Sequence, residues 1–189
     1  CIRDSYMLYA DEERGSEVYS AAGDRQQAGI VFEIAKGMIL QSPELSNRGK
    51  VFRNSIVNES KGNYYQAISS DSKTKHGFNA NCIIFDELHT QPNRDLWDTL
   101  TTSTGSRRQP LTIAITTAGY DKQSICYEIY SYAKKVNEGT IKDDSFYTVI
   151  YEAENDDDIT LESTWKKANP NYGVSPVSYT HLRAHETMV

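Results

Sequence analysis

Three cysteines in 189 residues, at positions 1, 82 and 126, are too few and too scattered for a disulfide framework or a metal-ligand set. Reduced thiols are the simple reading, with Cys82 acting as a small hydrophobe inside an apolar stretch. No apolar run approaches the roughly 20 residues that a membrane-crossing helix needs, which argues against bilayer insertion. Positive charge is also short. Twenty Lys and Arg against 26 Asp and Glu leave a net charge of -6. That balance excludes a broad DNA-coating surface, because non-specific affinity rests on neutralising phosphates, so any DNA contact must be local. The opening CIRDSYMLYADEERG carries neither an initiator Met nor the charged-then-apolar layout of a signal peptide, and the chain is expected to be a piece of something longer. There is no internal repeat and no low-complexity tract.

What is present is the composition of a globular domain, 38% hydrophobic and 24% charged, at a length that favours one core. EVYSAA (17–22) predicts a strand, and Gly23-Asp24 a turn and N-cap for a helix to about Leu40, with Ala28, Val31, Phe32, Ala35, Met38 and Ile39 at helical spacing. Ser42-Pro43 ends that helix. Residues 51–69 predict a hairpin turning at Lys61-Gly62-Asn63, and the polar 70–80 a loop. Cys82 to Phe85 is apolar on both faces, as in a parallel strand covered on both sides. Further expectations are a helix over 93–104, a strand over 111–116 ended by Gly119, a helix over 121–137, a strand over 146–151, a solvated NDDD loop at 155–158 and a short helix over 161–168. Strands alternating with helices imply an α/β fold with a mainly parallel sheet flanked by helices.

Ligands of open parallel sheets sit beyond the carboxyl ends of the strands, where Asp86-Glu87 and Thr116-Thr117 both fall. Four apolar residues followed by Asp-Glu have the form of a Walker B element, in which the acid holds Mg2+, commonly through water, and the Glu activates the water that attacks a γ-phosphate. Neighbouring side chains on an extended backbone point in different directions, so one can face a metal and the next a nucleophile. An acid capping a buried strand is the bland alternative, as a strand turn is for ITTAG.

Taken together, VYSAAGDRQQA, SPEL, CIIFDELH, NRDLWDTL, RRQPLTIAITTAG and WKKANPNYG, in that order from about Glu17 to Ser175, resemble the ATPase part of a tailed-phage terminase large subunit. The resemblance implies an ASCE-type P-loop ATPase core acting in the host cytoplasm, which uses ATP and Mg2+ to drive double-stranded viral DNA into a procapsid. It assigns metal holding to Asp86, the catalytic base to Glu87, and the coupling motif to Thr116, Thr117, Ala118 and Gly119. Implied partners are a small terminase subunit, the portal protein and further copies in a homo-oligomer ring, with no membrane. An arginine finger is expected, with Arg53, Arg94, Arg107 and Arg108 as candidates. A solvated or structural place is the plainer role for each, as it is for Lys73, Lys75 and His76, while Trp97 and Trp165 read as packing anchors.

Two features of the resemblance are missing from the 189 residues. There is no Gly-Lys-Ser or Gly-Lys-Thr to cradle phosphate, so this stretch is not expected to hydrolyse ATP unaided. The nuclease domain expected beyond Ser175 is absent too. The phosphate-loop strand of this class would lie beside 111–116, so that strand is expected at a bare sheet edge with exposed apolar surface, and the expressed chain is expected to be poorly soluble. Residues 1–176 are thus expected to be a partial ATPase domain. Val177 to Thr187 resembles an in-frame translation of a transposase-type sequencing adapter, so 177–189 is expected to be a non-native tail, and His181 and His185 are set aside despite their i,i+4 spacing. Two alternatives stay open: a helicase ATPase, because DELH has the Asp-Glu-x-His form, and a non-catalytic prophage remnant.

Overall fold

The computed structural model describes residues 2–70, 77–154 and 156–173. The chain divides into two units, residues 1–131 and 132–189. The first is built on a six-stranded sheet of order β2-β3-β4-β1-β5-β6: β1 Glu17–Ala22, β2 Lys50–Val51, β3 Ser55–Asn58, β4 Asn63–Ser69, β5 Ala80–Asp86 and β6 Leu111–Ile115. β4, β1, β5 and β6 run parallel, and β3 and β2 extend the sheet antiparallel at one margin. This is the expected α/β architecture, with Leu111–Ile115 at the opposite margin, where Leu111 and Ile115 stand 41% and 52% exposed.

The local causes are readable. Asp24 caps α2, Arg25–Gln41, by accepting from the Gln26 and Gln27 amides at 2.7 and 2.9 Å, and Ala28, Phe32, Ala35 and Ile39 turn its buried stripe to the sheet. Ser42 ends α2 and caps the single turn α3, Pro43–Ser46, through its hydroxyl. The β3–β4 hairpin reverses with Gly62 at φ +70°, a conformation that suits glycine. β5 is buried along its whole length until Asp86. One face joins Val18, Phe32, Ile39, Ile56 and Tyr65 through Cys82 and Ile84; the other joins Leu88, Leu96, Leu100 and Ile125 through Ile83 and Phe85. Trp97 of α4, Asp95–Thr102, stacks on Phe85 with ring centroids 4.8 Å apart, the packing role expected of it.

Several boundaries differ from expectation. Val51 does not run on into β3: Phe52 donates to the Ser55 carbonyl at 2.8 Å, and the resulting turn splits the strand in two. α1, Ile2–Tyr9, has no marked sequence signal, yet Met7, Leu8 and Tyr9 enter the core. α5 is Ile125–Asn137 and does not begin at 121, because Asp121 to Ser124 form a side-chain-closed turn. The predicted loop residues 71–76, with Lys73, Lys75 and His76, and the tail from 174 onward lie outside the described residues.

In the second unit the strand expected over 146–151 is not formed. Its alternation marks strand potential, but a strand needs a ladder, and no described residue pairs with it. Phe146 instead packs edge-on against Tyr132 at 5.0 Å. α6, Glu162–Ala168, matches the short helix expected there, and Lys167 ties it to Asp157 of the acidic loop at 2.8 Å. No described helix is long and apolar enough to cross a membrane.

Candidate functional site

Parallel pairing brings the carboxyl ends of β1, β5 and β6 to one edge of the sheet, with Asp86 opposite Ile115 in register. Asp86 is half-buried. Withdrawal from water, then the charge of Glu87 beside it, raise its pKa above the usual carboxylate value, so this position favours neutralisation by a proton or a cation.

Glu87 has φ 51° and ψ 55°, and is the single non-glycine residue with positive φ among the described residues. A left-handed non-glycine costs about 1 kcal/mol or more and persists only where its surroundings enforce it. Here the enforcement is visible. The reversal drops Leu88 into the core, closes a single 3-10 turn over Leu88–Thr90, and is locked by the Thr90 amide and hydroxyl, both 2.8 Å from the Glu87 carbonyl. Glu87 and His89 then turn toward the end of β6.

Thr116 and Thr117 meet them there. The Glu87 Oε2 lies 3.2 Å from His89 Nδ1, and the Thr117 hydroxyl approaches the same oxygen at 3.5 Å. Thr116 Oγ1 accepts from the His89 amide at 3.1 Å and donates to the Thr117 carbonyl at 2.9 Å. A Cβ on Gly119 would sit 3.0 Å from that of His89, so glycine lets the turn after β6 lie against this histidine. Glu87 thus meets Thr117 and His89 meets Thr116, while Asp86 stays at the end of β5 opposite Ile115. Ala118 is exposed between them.

Two contributors escaped the sequence reading. Gly23 was expected only as a turn residue, yet a Cβ there would lie 2.5 Å from the Thr90 carbonyl oxygen, so its bareness lets the exit of β1 abut the turn after β5. A glycine directly after a strand was the available signal. His89 was noticed only as a helicase-like letter, whereas it is the hub of the cluster.

The arginines separate by partner. Arg94 is ion-paired to Asp98 and Glu128 at 2.7 and 3.1 Å. Arg107 lies at the far edge of the sheet, where β1 and β5 begin. Its guanidinium donates to the carbonyls of Asn79 and Gly15, at 2.6 Å each from Nη2, with Glu13 at 3.6 Å. Arg53 and Arg108 are exposed. Among the described residues no group of three or more His, Cys, Asp or Glu could hold a metal ion by itself. A lone carboxylate such as Asp86 still suits Mg2+, which keeps several waters and takes one or two carboxylates plus phosphate oxygens.

The model of the family described as terminase large subunit, ATPase domain, matches residues 5–135. The terminase large subunit of Enterobacteria phage HK97 is 30% identical over 178 residues, 89% of this chain and 33% of that protein. Protein YmfN of Escherichia coli (strain K12) is 38% identical over 99 residues, 52% of this chain and 22% of that protein. The chain thus spans a third or less of the length of these curated relatives. A crystal structure of the HK97 bacteriophage large terminase superposes with a TM-score of 0.83, covering 99% of this chain and 40% of that one at 24% identity, a likeness of fold. These matches favour the terminase reading over the helicase one. The chain belongs to the terminase large subunit family, its residues 5–135 matching the ATPase domain.

Proposed function

We propose that this chain supplies the water-activating half of an ATPase site in a phage DNA-packaging motor. Glu87 serves as the general base and Asp86 holds Mg2+ through water. When bound, the ion would neutralise phosphate charge. The observation that carries the reading is the meeting of the Glu87 carboxylate after β5 with the threonine turn after β6, Thr117 reaching it at 3.5 Å, with Asp86 beside it at the end of β5 opposite Ile115. Asp86 is withdrawn from water enough to favour a compensating cation, while Glu87 keeps a path to a water molecule. Thr116, Thr117, Ala118 and Gly119 are the coupling segment that answers to the nucleotide.

The phosphate-cradling Lys and Ser/Thr come from outside these 189 residues, since no Gly-Lys-Ser or Gly-Lys-Thr occurs in them. In full, the machine hydrolyses ATP to push double-stranded viral DNA into a procapsid, working with a small terminase subunit, the portal and neighbouring copies. Arg53 and Arg108 are the better arginine-finger candidates, because Arg94 and Arg107 already spend their charge on local partners.

The test is Glu87→Gln in the full-length protein. The amide keeps shape but cannot take a proton, so kcat for ATP should fall by about 10²- to 10⁴-fold while nucleotide binding stays within a few-fold. Near-normal turnover by this variant removes Glu87 from its role. An unmutated full-length protein with no ATPase activity points to the non-catalytic remnant instead.

A further inference from the structure

Counting protons favours one arrangement of the cluster after β5, in which Cys126 Sγ, 3.7 Å from Thr116 Oγ1, is the most distant neighbour. The Thr116 hydroxyl has one proton, and it goes to the Thr117 carbonyl, which can only accept. Its two lone pairs then face the His89 amide at 3.1 Å and the His89 Nδ1, also at 3.1 Å. The other close neighbour of Nδ1 is the Glu87 carboxylate at 3.2 Å, again an acceptor. The Thr117 hydroxyl, the remaining group in reach, is 3.5 Å from both Nδ1 and Glu87 Oε2, and the carboxylate is the stronger claimant for its proton. A bare Nδ1 would set its lone pair against two oxygen lone pairs.

We propose that His89 carries its proton on Nδ1 and is the positioning residue for Glu87, sharing that proton between the Glu87 carboxylate and Thr116 so that the turn after β6 and the base after β5 move as one. This rests on the reading of Glu87 as the base. It extends that reading by naming the part that joins the two strand ends. Thr117 makes only one long contact to Glu87, whereas His89 holds Thr116 by two donors and lies against Gly119. Any displacement of the 116–119 turn is therefore transmitted to Glu87 chiefly through the imidazole.

The first experiment needs no turnover. In full-length protein labelled with 15N-histidine, the His89 signals are those that vanish in His89→Asn. A proton on Nδ1, whether or not Nε2 also carries one, supports the proposal, and a bare Nδ1 overturns it. The second experiment is kinetic. His89→Ala should lower kcat about tenfold with KM for ATP within about twofold, and His89→Asn, whose amide places an N–H near Nδ1, should recover most of the loss. Thr116→Val should cost a similar factor, and the double variant no more than either single one, because both break one linkage. Unchanged kcat in His89→Ala, or additive losses in the double variant, overturns the linkage. If His89→Ala fails to fold, the tautomer measurement on unaltered protein decides. An inactive Glu87→Gln with a fully active His89→Ala sinks this inference alone, whereas an active Glu87→Gln sinks the site reading beneath it.

Discussion

β5 and β6 are neighbours, parallel, and close to each other in apolar character, yet one is buried up to Asp86 and the other largely bare. Cys82 to Phe85 meets β1 on one side, β6 on the other and helices above and below. Leu111 to Ile115 has β5 on one side and no described strand on the other. Apolar sequence thus states what a strand can bury, and the neighbours decide what it does bury. The functional consequence follows from the same contrast. β5 holds Asp86 and Glu87 on a buried mount, while β6 ends in an exposed turn tied to that mount chiefly through His89.

The largest test of that contrast is a matched pair of truncations. Phe85→Ala removes a ring packed between Trp97 and the core and should cost about 3–5 kcal/mol. Ile113→Ala, on the half-covered neighbour, should cost about 1–2 kcal/mol, since less of its surface leaves water on folding. Urea unfolding at constant m measures both. Equal losses would show that β6 is packed as tightly as β5 in solution, and the contrast would fail.

A smaller effect is expected at the other end of β6. Arg107 anchors the segment leading into this strand by bonding the carbonyls that precede β1 and β5, and only 6% of its side chain is exposed. Arg107→Ala leaves those acceptors without their donor and should cost about 2 kcal/mol. Arg107→Lys should recover little of it, because one ammonium cannot reproduce the planar fork. Recovery by Lys would mean that the charge facing Glu13 matters more than the geometry.

Arg107 also shows where reading the sequence stops. Its partners are backbone carbonyls of Gly15 and Asn79, which leave no trace in residue identity, so nothing separated it from the exposed Arg108 beside it. Elements governed by their own side chains were legible: the Asp24 cap, the Gly62 hairpin, the apolar β5 and the acids at its end. Elements governed by distant partners were not. Residues 146–151 have the alternation of a strand without a described ladder to join, and the left-handed Glu87 carries no Gly or Asn signal because Leu88 and Thr90 impose it from outside. The candidate acids and threonines could be named from sequence. The histidine that joins them became visible only when the turn was folded.

The smallest effect on stability belongs to the bare margin itself. Leu111→Lys places a charge where the side chain is already 41% exposed, at the end of β6 away from the acids, and should change unfolding free energy by no more than about 0.5 kcal/mol. Its effect on association should be far larger. An apolar edge strand with unpaired amides and carbonyls is a template for another chain, and a lysine on it is a common natural deterrent. Sedimentation of the 189-residue chain should therefore show self-association that falls in Leu111→Lys while the melting transition stays in place. The opposite margin serves as the control, since β2 is only two residues long and one of them, Lys50, is charged and ion-paired to Glu59. Added charge there, at Val51, should leave association unchanged. If both margins respond alike, the apolar character of β6 is not what draws chains together, and the difference between the two edges is one of appearance only.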